Sequence, residues 1–258
     1  MAQKIQIRNL SKLFPKAGEG SLTVLERLSF DVAEREFVAL LGPSGCGKST
    51  LLNILAGLET STDGEVLVDG TRPGHDRPAF GLVFQEPRLL NWRTVRQNLL
   101  FPLEHVGLPE AEAEARVSRY LKLVGLEGFE MYHPLQLSGG MQMRVAIARA
   151  LAIEPEVLLM DEPFSSLDAI TARKMREELI RIWQEAERTV IFVTHDIEEA
   201  VFLSTRVLIV TPRPARLFAE VPVTVRYPRH PEDDSLFMVE KQVVRTFFQM
   251  EAQYGGSA

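Results

Sequence analysis

The chain has 258 residues, 45% hydrophobic and 25% charged, with 17 Gly, 15 Pro and a single Cys, which excludes collagen-like, low-complexity and coiled-coil proteins. Its net charge of -6, without a Lys/Arg cluster, argues against long nucleic acid as a partner. No apolar run approaches the ~18 residues of a membrane span, the start MAQKIQIRNLSKLF is unlike a signal peptide, and the lone Cys46 has neither a disulfide partner nor a zinc set, so a cytoplasmic protein is expected.

KIQIRNL near the start alternates as a half-buried strand does, and after a Gly/Glu-rich turn at 17–21 two further strand-like stretches follow. In the second, Phe37 to Leu41, every residue is apolar, as in a central strand covered on both faces of a parallel sheet. A glycine-rich turn begins at Gly42, and residues 49–56 read as a helix closed by Gly57. A hairpin-like segment at 64–70 and a strand at 79–84 come next. The pattern then turns helical over 86–137, with Pro109 in a first turn, Val117, Tyr120, Leu121 and Val124 on one face, and Gly125 as the stop. The strands at 157–160 and 190–194 each follow an amphipathic helix, an alternation that predicts a mostly parallel sheet. At the C-terminal end lie a strand at 206–210, a turn at 211–216 and an extended stretch at 217–225. Pro222 assigns that stretch to a sheet edge, since proline cannot donate to a ladder. A helix over 233–252, with the stripe Leu236, Val239, Val243, Phe247 and Met250, closes the chain. The expected organisation is a single domain: residues 1–85 and 156–205 as an α/β core, 86–155 as a helical insertion, and 206–258 as C-terminal strands and helix.

The segment Gly42-Pro43-Ser44-Gly45-Cys46-Gly47-Lys48-Ser49-Thr50 matches GxxxxGK[ST] between a predicted strand and a predicted helix, the context that motif requires. Its glycines let backbone N–H groups converge on phosphate oxygens, and the helix N-terminus favours the anion. Lys48 then reaches the β- and γ-phosphates, Ser49 offers its hydroxyl to Mg²⁺, and Thr50 contacts the α-phosphate of ATP. Further on, Val157-Leu158-Leu159-Met160 ends in Asp161 and Glu162, two carboxylates at the carboxyl end of a strand, where open α/β sheets bind ligands. An acidic pair of this kind also caps helices; with the phosphate loop upstream, Asp161 suits the Mg²⁺ shell and Glu162 suits a base for the attacking water.

Leu137-Ser138-Gly139-Gly140-Met141-Gln142-Met143-Arg144 resembles the signature of the ATP-binding cassette (ABC) ATPases, and other motifs of that family appear in order along the chain. Gln85 resembles the Q-loop glutamine, Ser165-Ser166-Leu167-Asp168 the D-loop, His195 the switch histidine, and Phe14 the aromatic that stacks on adenine. The resemblance implies an α/β P-loop NTPase core with a mostly parallel sheet, an N-terminal antiparallel β subdomain and a helical insertion. It also implies Mg²⁺-dependent ATP hydrolysis, with Gln85 at the metal. Two copies would pack head to tail, so that Ser138, Gly139, Gly140 and Asp168 of one face the nucleotide held by Lys48 of the other. Independently, Ser138 suits the cap of a helix whose first turn is unobstructed glycine. Met141 departs from the glutamine usual at its place. His75, His105, His133 and His230 show no shared partner spacing and read as ordinary surface or packing residues.

Phe84-Gln85-Glu86-Pro87-Arg88-Leu89-Leu90-Asn91-Trp92-Arg93-Thr94-Val95, and the tail residues 210–216 with Tyr227-Pro228-Arg229, resemble the import subunits for nitrate, sulfonates, taurine, bicarbonate and related solutes. That branch usually has proline where this chain has Asn91. The resemblance implies membrane permease subunits as partners, a solute-binding protein acting through them, and a place at the cytoplasmic face of the cell membrane. An apolar face at Leu89, Leu90, Trp92, Leu99 and Leu100 is expected to receive the permease. The alternatives are an ABC ATPase for amino acids, polyamines, lipids or pyrimidine precursors, an exporter, a cassette without turnover, and a soluble ABC ATPase acting on nucleic acid or the ribosome. The last predicts a basic stripe or a second cassette, and neither is in the sequence.

Overall fold

A computed structural model describes residues 3–15, 18, 20–72, 80–165 and 167–254. Ala17, His75, Ala79 and Ser166, all part of the sequence reading, lie outside the described residues. In chain order the elements are β1 (Gln3–Pro15), β2 (Ser21–Ala33), β3 (Phe37–Leu41), α1 (Lys48–Leu55), β4 (Asp63–Val68), β5 (Phe80–Val83), α2 (Val95–Leu103), α3 (Glu110–Leu123), α4 (Gly139–Ala152), β6 (Val157–Asp161), α5 (Ala169–Ala186), β7 (Thr189–Thr194), α6 (Ile197–Leu203), β8 (Arg206–Val210), β9 (Leu217–Pro222) and α7 (Asp234–Tyr254). A short 3-10 turn, Pro134–Gln136, precedes α4. The chain divides into two compact units, Met1–Gly74 with Thr189–Ala258, and His75–Arg188.

In the first unit, β2, β1 and β4 form an antiparallel sheet in that order. Ile5 and Ile7 of β1 are buried and pair with Val32 and Phe30 on one side and Val68 and Val66 on the other, so alternate residues carry the core face. The hairpin-like reading of 64–70 holds for its turn, where Asp69 and Gly70 have φ 50 and 75 and the Val68 and Thr71 amides each bond the other's carbonyl, while the strand itself pairs with β1 far upstream.

The same unit contains the parallel set β7-β3-β8, extended by antiparallel β9. All five residues of β3 are buried, as its unbroken apolar run predicted. At ~1.5–3 kcal/mol for each large side chain, that burial contributes on the order of 10 kcal/mol before chain entropy is subtracted. Pro222 ends β9 opposite Arg206, at the edge of the set, where its missing N–H costs no ladder bond. Helix α7 buries Leu236, Val243 and Met250, with Val239 and Phe247 half-buried on the same stripe.

The second unit pairs β5 and β6 in parallel and surrounds them with α2, α3, α4 and α5. Helix α4 is its central rod: Met143, Val145, Ala146, Ile147, Ala148, Ala150, Leu151 and Ala152 are all buried, and the small alanines let α2, α3 and β5 pack closely around it. Helix α3 buries Val117, Tyr120 and Leu121, and Gly125 follows it with φ 65, as its stop reading requires. The expected helical character between 86 and 94 is absent. Thr94 caps α2 through a capping box with Gln97, so the helix starts only at Val95.

Candidate functional site

The phosphate loop leaves the C-terminal end of β3. A Cβ on Gly42 would sit 2.6 Å from Val210 Cγ2, so only glycine lets the loop turn away from β8 at that point. Gly47 has φ 123, and a Cβ there would lie 2.8 Å from Val24 Cγ1. It occupies the N-cap of α1, where no side chain caps the helix and no acidic residue lies in the first turn. The start of α1 thus carries no side-chain cap of its own to compete with an anion. Lys48 is 5% exposed, and its Nζ donates to the carbonyls of Gly42 at 2.8 Å and Pro43 at 3.0 Å, which holds the ammonium inside the loop's curl. Ser44, Gly45 and Ser49 are exposed, Pro43 and Thr50 half-buried. Cys46 is buried, and burial pushes its thiol up against the lowering pull of Lys48 and Arg213, so it stays a neutral packing group.

His195 directly follows β7. Because Leu41 pairs with Thr194 in parallel register, the phosphate loop and His195 emerge from neighbouring strands at the same end. His195 is exposed. The turn after it is built by Asp196, which accepts from the Glu199 amide to cap α6 and donates its own amide to Thr194 Oγ1. Phe14 lies near the end of β1, half-buried, with the Lys12 ammonium 4.7 Å from its ring centre.

In the second unit, Val83 of β5 pairs with Met160 of β6, so the segment to Gln85 and the segment to Asp161 and Glu162 leave adjacent parallel strands at one end. Asp161 is the last residue of β6 and Glu162 the first beyond it; Glu162 has φ 44, a left-handed conformation that costs ~1–2 kcal/mol for a side chain of this size. That turn is secured by Ser165, whose amide and Oγ both donate to the Glu162 carbonyl, at 3.2 and 2.9 Å. A strained residue held in place by its neighbours is characteristic of functional positions.

Ser138 caps α4, its Oγ accepting from the Met141 amide at 3.3 Å, and Ser138 and Gly139 are exposed. The Met141 departure leaves this backbone cap intact. Asp168 caps α5 through its carboxylate, which accepts from the Thr171 amide at 3.1 Å; bonds from Thr171 hold that carboxyl below its ordinary range.

Several residues that organise these segments had no structural role assigned from the sequence, although Tyr227 and Arg229 belong to the tail that resembles the import branch. Asn98, wholly buried, accepts from the Leu90 amide and donates to the carbonyls of Leu90, Arg93 and Thr94, giving the 86–94 segment its irregular path. Arg149 of α4 donates to the Pro87 and Arg88 carbonyls just after Gln85, at 3.0 and 2.9 Å. In the first unit, Arg229 donates from Nη1 to the carbonyls of Val201, Phe202 and Ser204, closing the C-terminal end of α6. Its neighbour Tyr227, whose hydroxyl donates to Leu203 O, is pushed up to about 12 by burial. A buried polar hub on a segment without periodicity leaves no sequence signal beyond its residue type.

The expected apolar face is only partly exposed. Trp92 is 75% exposed and Leu89, Leu90 and Leu100 are half-buried, but Leu99 is wholly buried, because it lies on the inward face of α2 with Val95 and Leu103. Met131 and Leu135, at 72% and 76%, are exposed in the same unit. Among the described residues no helix is long and apolar enough to cross a membrane.

These segments, on this fold, are those of an ATP-binding cassette ATPase. Residues 25–165 match the family described as ABC transporter, and the chain belongs to that family. It is 41% identical over 252 residues, 98% of this chain and 97% of the relative, to the aliphatic sulfonates import ATP-binding protein SsuB of Bacillus cereus. It is 46% identical over 218 residues, 83% of this chain and 82% of the relative, to the taurine import ATP-binding protein TauB of Rhizobium johnstonii. A solved dimeric structure of the ATP-binding cassette MJ0796, in a post-hydrolysis state with ADP and Pi, matches with TM-score 0.73 at 34% identity, covering 86% of this chain and 100% of that one.

Proposed function

We propose that this chain hydrolyses ATP to power an import transporter for a small anion such as nitrate, a sulfonate, taurine or bicarbonate. The observation that carries the reading is the uncapped, glycine-turned start of α1 with Lys48 held inside it, emerging beside His195 at the ends of neighbouring strands. Glycine at 42 and 47 lets the loop pack closely against β8 and β2, which fixes its curl where the helix N-terminus favours phosphate oxygens. In this reading the amides of Gly42, Pro43's loop partners Ser44, Gly45, Cys46 and Gly47, and those of Lys48, Ser49 and Thr50 bind the phosphates. Phe14 offers its ring to the adenine.

The donor set of Ser49 hydroxyl, Asp161 carboxylate and Gln85 amide, all oxygen, suits Mg²⁺. When bound, the ion offsets phosphate charge. Glu162 orients the attacking water and accepts its proton as the water oxygen bonds to the γ-phosphorus and the bond to the β–γ bridging oxygen breaks. Lys48 and His195 donate to the phosphate oxygens, on which negative charge is spread in the transition state.

Ser138, Gly139, Gly140 and Asp168 are assigned to the nucleotide of a second copy in a head-to-tail dimer, a reading supported by the dimeric state of the MJ0796 relative. Residues 1–85 and 156–205 act as the nucleotide core, 86–155 as the part that meets membrane permease subunits, and 206–258 as a C-terminal extension. Exposed Trp92, Met131 and Leu135 support the permease role, and the import names of the relatives support the direction and solute class. A solute-binding protein delivers the anion, and the chain works at the cytoplasmic face of the cell membrane.

Two variants test the chemistry. Lys48→Ala is expected to lose ATP binding, while Glu162→Gln retains binding, accumulates as an ATP-bound dimer and turns over at least about 100-fold more slowly. Turnover near wild type in Glu162→Gln removes that residue from its role. Co-purification of the chain from membranes with a permease, and the solute whose uptake its loss abolishes, tests the transport assignment.

A further inference from the structure

We infer that Arg213, in the turn between β8 and β9, is a positioning residue for nucleotide binding, acting through the phosphate loop from its outer side. This rests on the assignment of Gly42–Thr50 as the phosphate site and adds a residue outside that motif. Arg213 Nη2 and Nε both donate to the carbonyl oxygen of Gly45, at 2.5 and 3.2 Å. The same peptide is tied at its other end, where the Cys46 amide donates to Pro43 O at 3.3 Å. The Gly45–Cys46 peptide plane is therefore fixed from both sides. A fixed plane matters here because Gly45 has φ 74, and a glycine in that region has little of its own to resist rotation. If the plane turns, the neighbouring amides no longer converge on one anion.

The anchor behind Arg213 is itself rigid. The amide of Ala215 donates to Val24 O and the amide of Glu26 donates to Ala215 O, so the turn is stitched to β2 by two backbone bonds at 2.8 and 3.0 Å. Thr211 Oγ1 donates to Pro214 O and accepts from the Arg216 amide, closing the turn on itself. Exposed Arg216 also pairs with Glu26 at 2.7 Å, but the two backbone bonds hold the turn without it. Val24 is also the residue whose side chain abuts Gly47, so β2 braces both glycines of the loop, one directly and one by way of Arg213. A cavity of about 450 Å³ lies between Ser44, Gly45 and Cys46 of the loop, the 211–216 turn and Tyr254 of α7, and Arg213 is among the residues that line it.

Arg213 is exposed, so water screens its charge, and its effect comes from the direction of its two donors more than from its field. The expected signature is a change in affinity without a change in chemistry. In steady-state ATPase assays of the full chain, Arg213→Ala raises KM for ATP about fivefold to tenfold while kcat stays within about twofold, the scale of one ordinary hydrogen bond lost, as suits a solvent-screened donor. Arg213→Lys, which keeps one donor, falls between the two. Arg216→Ala breaks the Glu26 pair in the same turn without touching Gly45 and leaves KM unchanged. An unchanged KM in Arg213→Ala overturns the inference, and so does an equal rise in Arg216→Ala, which would reduce the effect to general loosening of the turn. Direct titration with MgADP separates this from the underlying assignment: normal binding by Lys48→Ala would bring down the phosphate-site reading itself, whatever Arg213 does.

Discussion

Helices α1, α4 and α5 begin in three different ways, and the contrast shows how the chain sorts its helix ends. Helix α5 starts with its own anion, the Asp168 carboxylate, bonded to the Thr171 amide. Helix α4 starts with a neutral hydroxyl, that of Ser138, on the Met141 amide. Helix α1 starts with Gly47 and no side-chain acceptor. Each helix end presents the same partial positive charge. What differs is the group set at it: a carboxylate on α5, a neutral hydroxyl with exposed glycine beside it on α4, and on α1 no side-chain cap but a buried ammonium.

The largest effect should come from closing the open end. Gly47→Ser would supply α1 with a hydroxyl cap, but it forces φ 123 on a non-glycine residue and places a Cβ 2.8 Å from Val24 Cγ1. We expect ATP affinity, read by titration calorimetry, to fall by about 100-fold or more. Retained affinity would mean that the uncapped start is incidental.

A smaller effect should follow from making α4 resemble α5. Ser138→Asp keeps a good N-cap, so the urea unfolding midpoint should hold or rise. A fixed carboxylate there repels a second anion, and ATP turnover should drop about tenfold. Unchanged turnover would detach the α4 end from the nucleotide cycle.

The smallest effect belongs to α5. Because the Asp168 carboxyl is held below its ordinary value of 3.8 by its bonds to Thr171, the ionised form favours the folded state. That contribution is complete above pH 3.8 and fades as pH falls through the lower folded-state value. Asp168→Ala should therefore unfold at a lower temperature than the parent near neutral pH, and the gap should close in strong acid. A gap that is constant with pH would remove the charge from the explanation.

The phosphate loop, the acidic pair, the signature and His195 were legible in the sequence because each depends on residue type at fixed local spacing next to an apolar strand. The same locality explains the correct reading of β3, α3, α7 and the edge position of Pro222. The failures share a cause as well. Residues 86–94 lack helix because Asn98 and Arg149 offer their carbonyls and amides better partners than each other. In residues 64–70 the turn at Asp69-Gly70 was legible, but the strand's pairing with β1, some sixty residues earlier, was not. Leu99 reads as part of an exposed face until α2 is seen to start at Val95, which turns it inward.

By itself, then, the sequence determined the class of protein and most of the order of its strands and helices, since short-range sterics, apolar periodicity and glycine placement suffice for these. Only the tertiary structure decided which strands neighbour one another, which carbonyls Arg213, Arg149 and Arg229 hold, and which helix starts have a side-chain cap. Those outcomes depend on hydrogen bonds between segments distant in the chain, whose geometry no local pattern encodes.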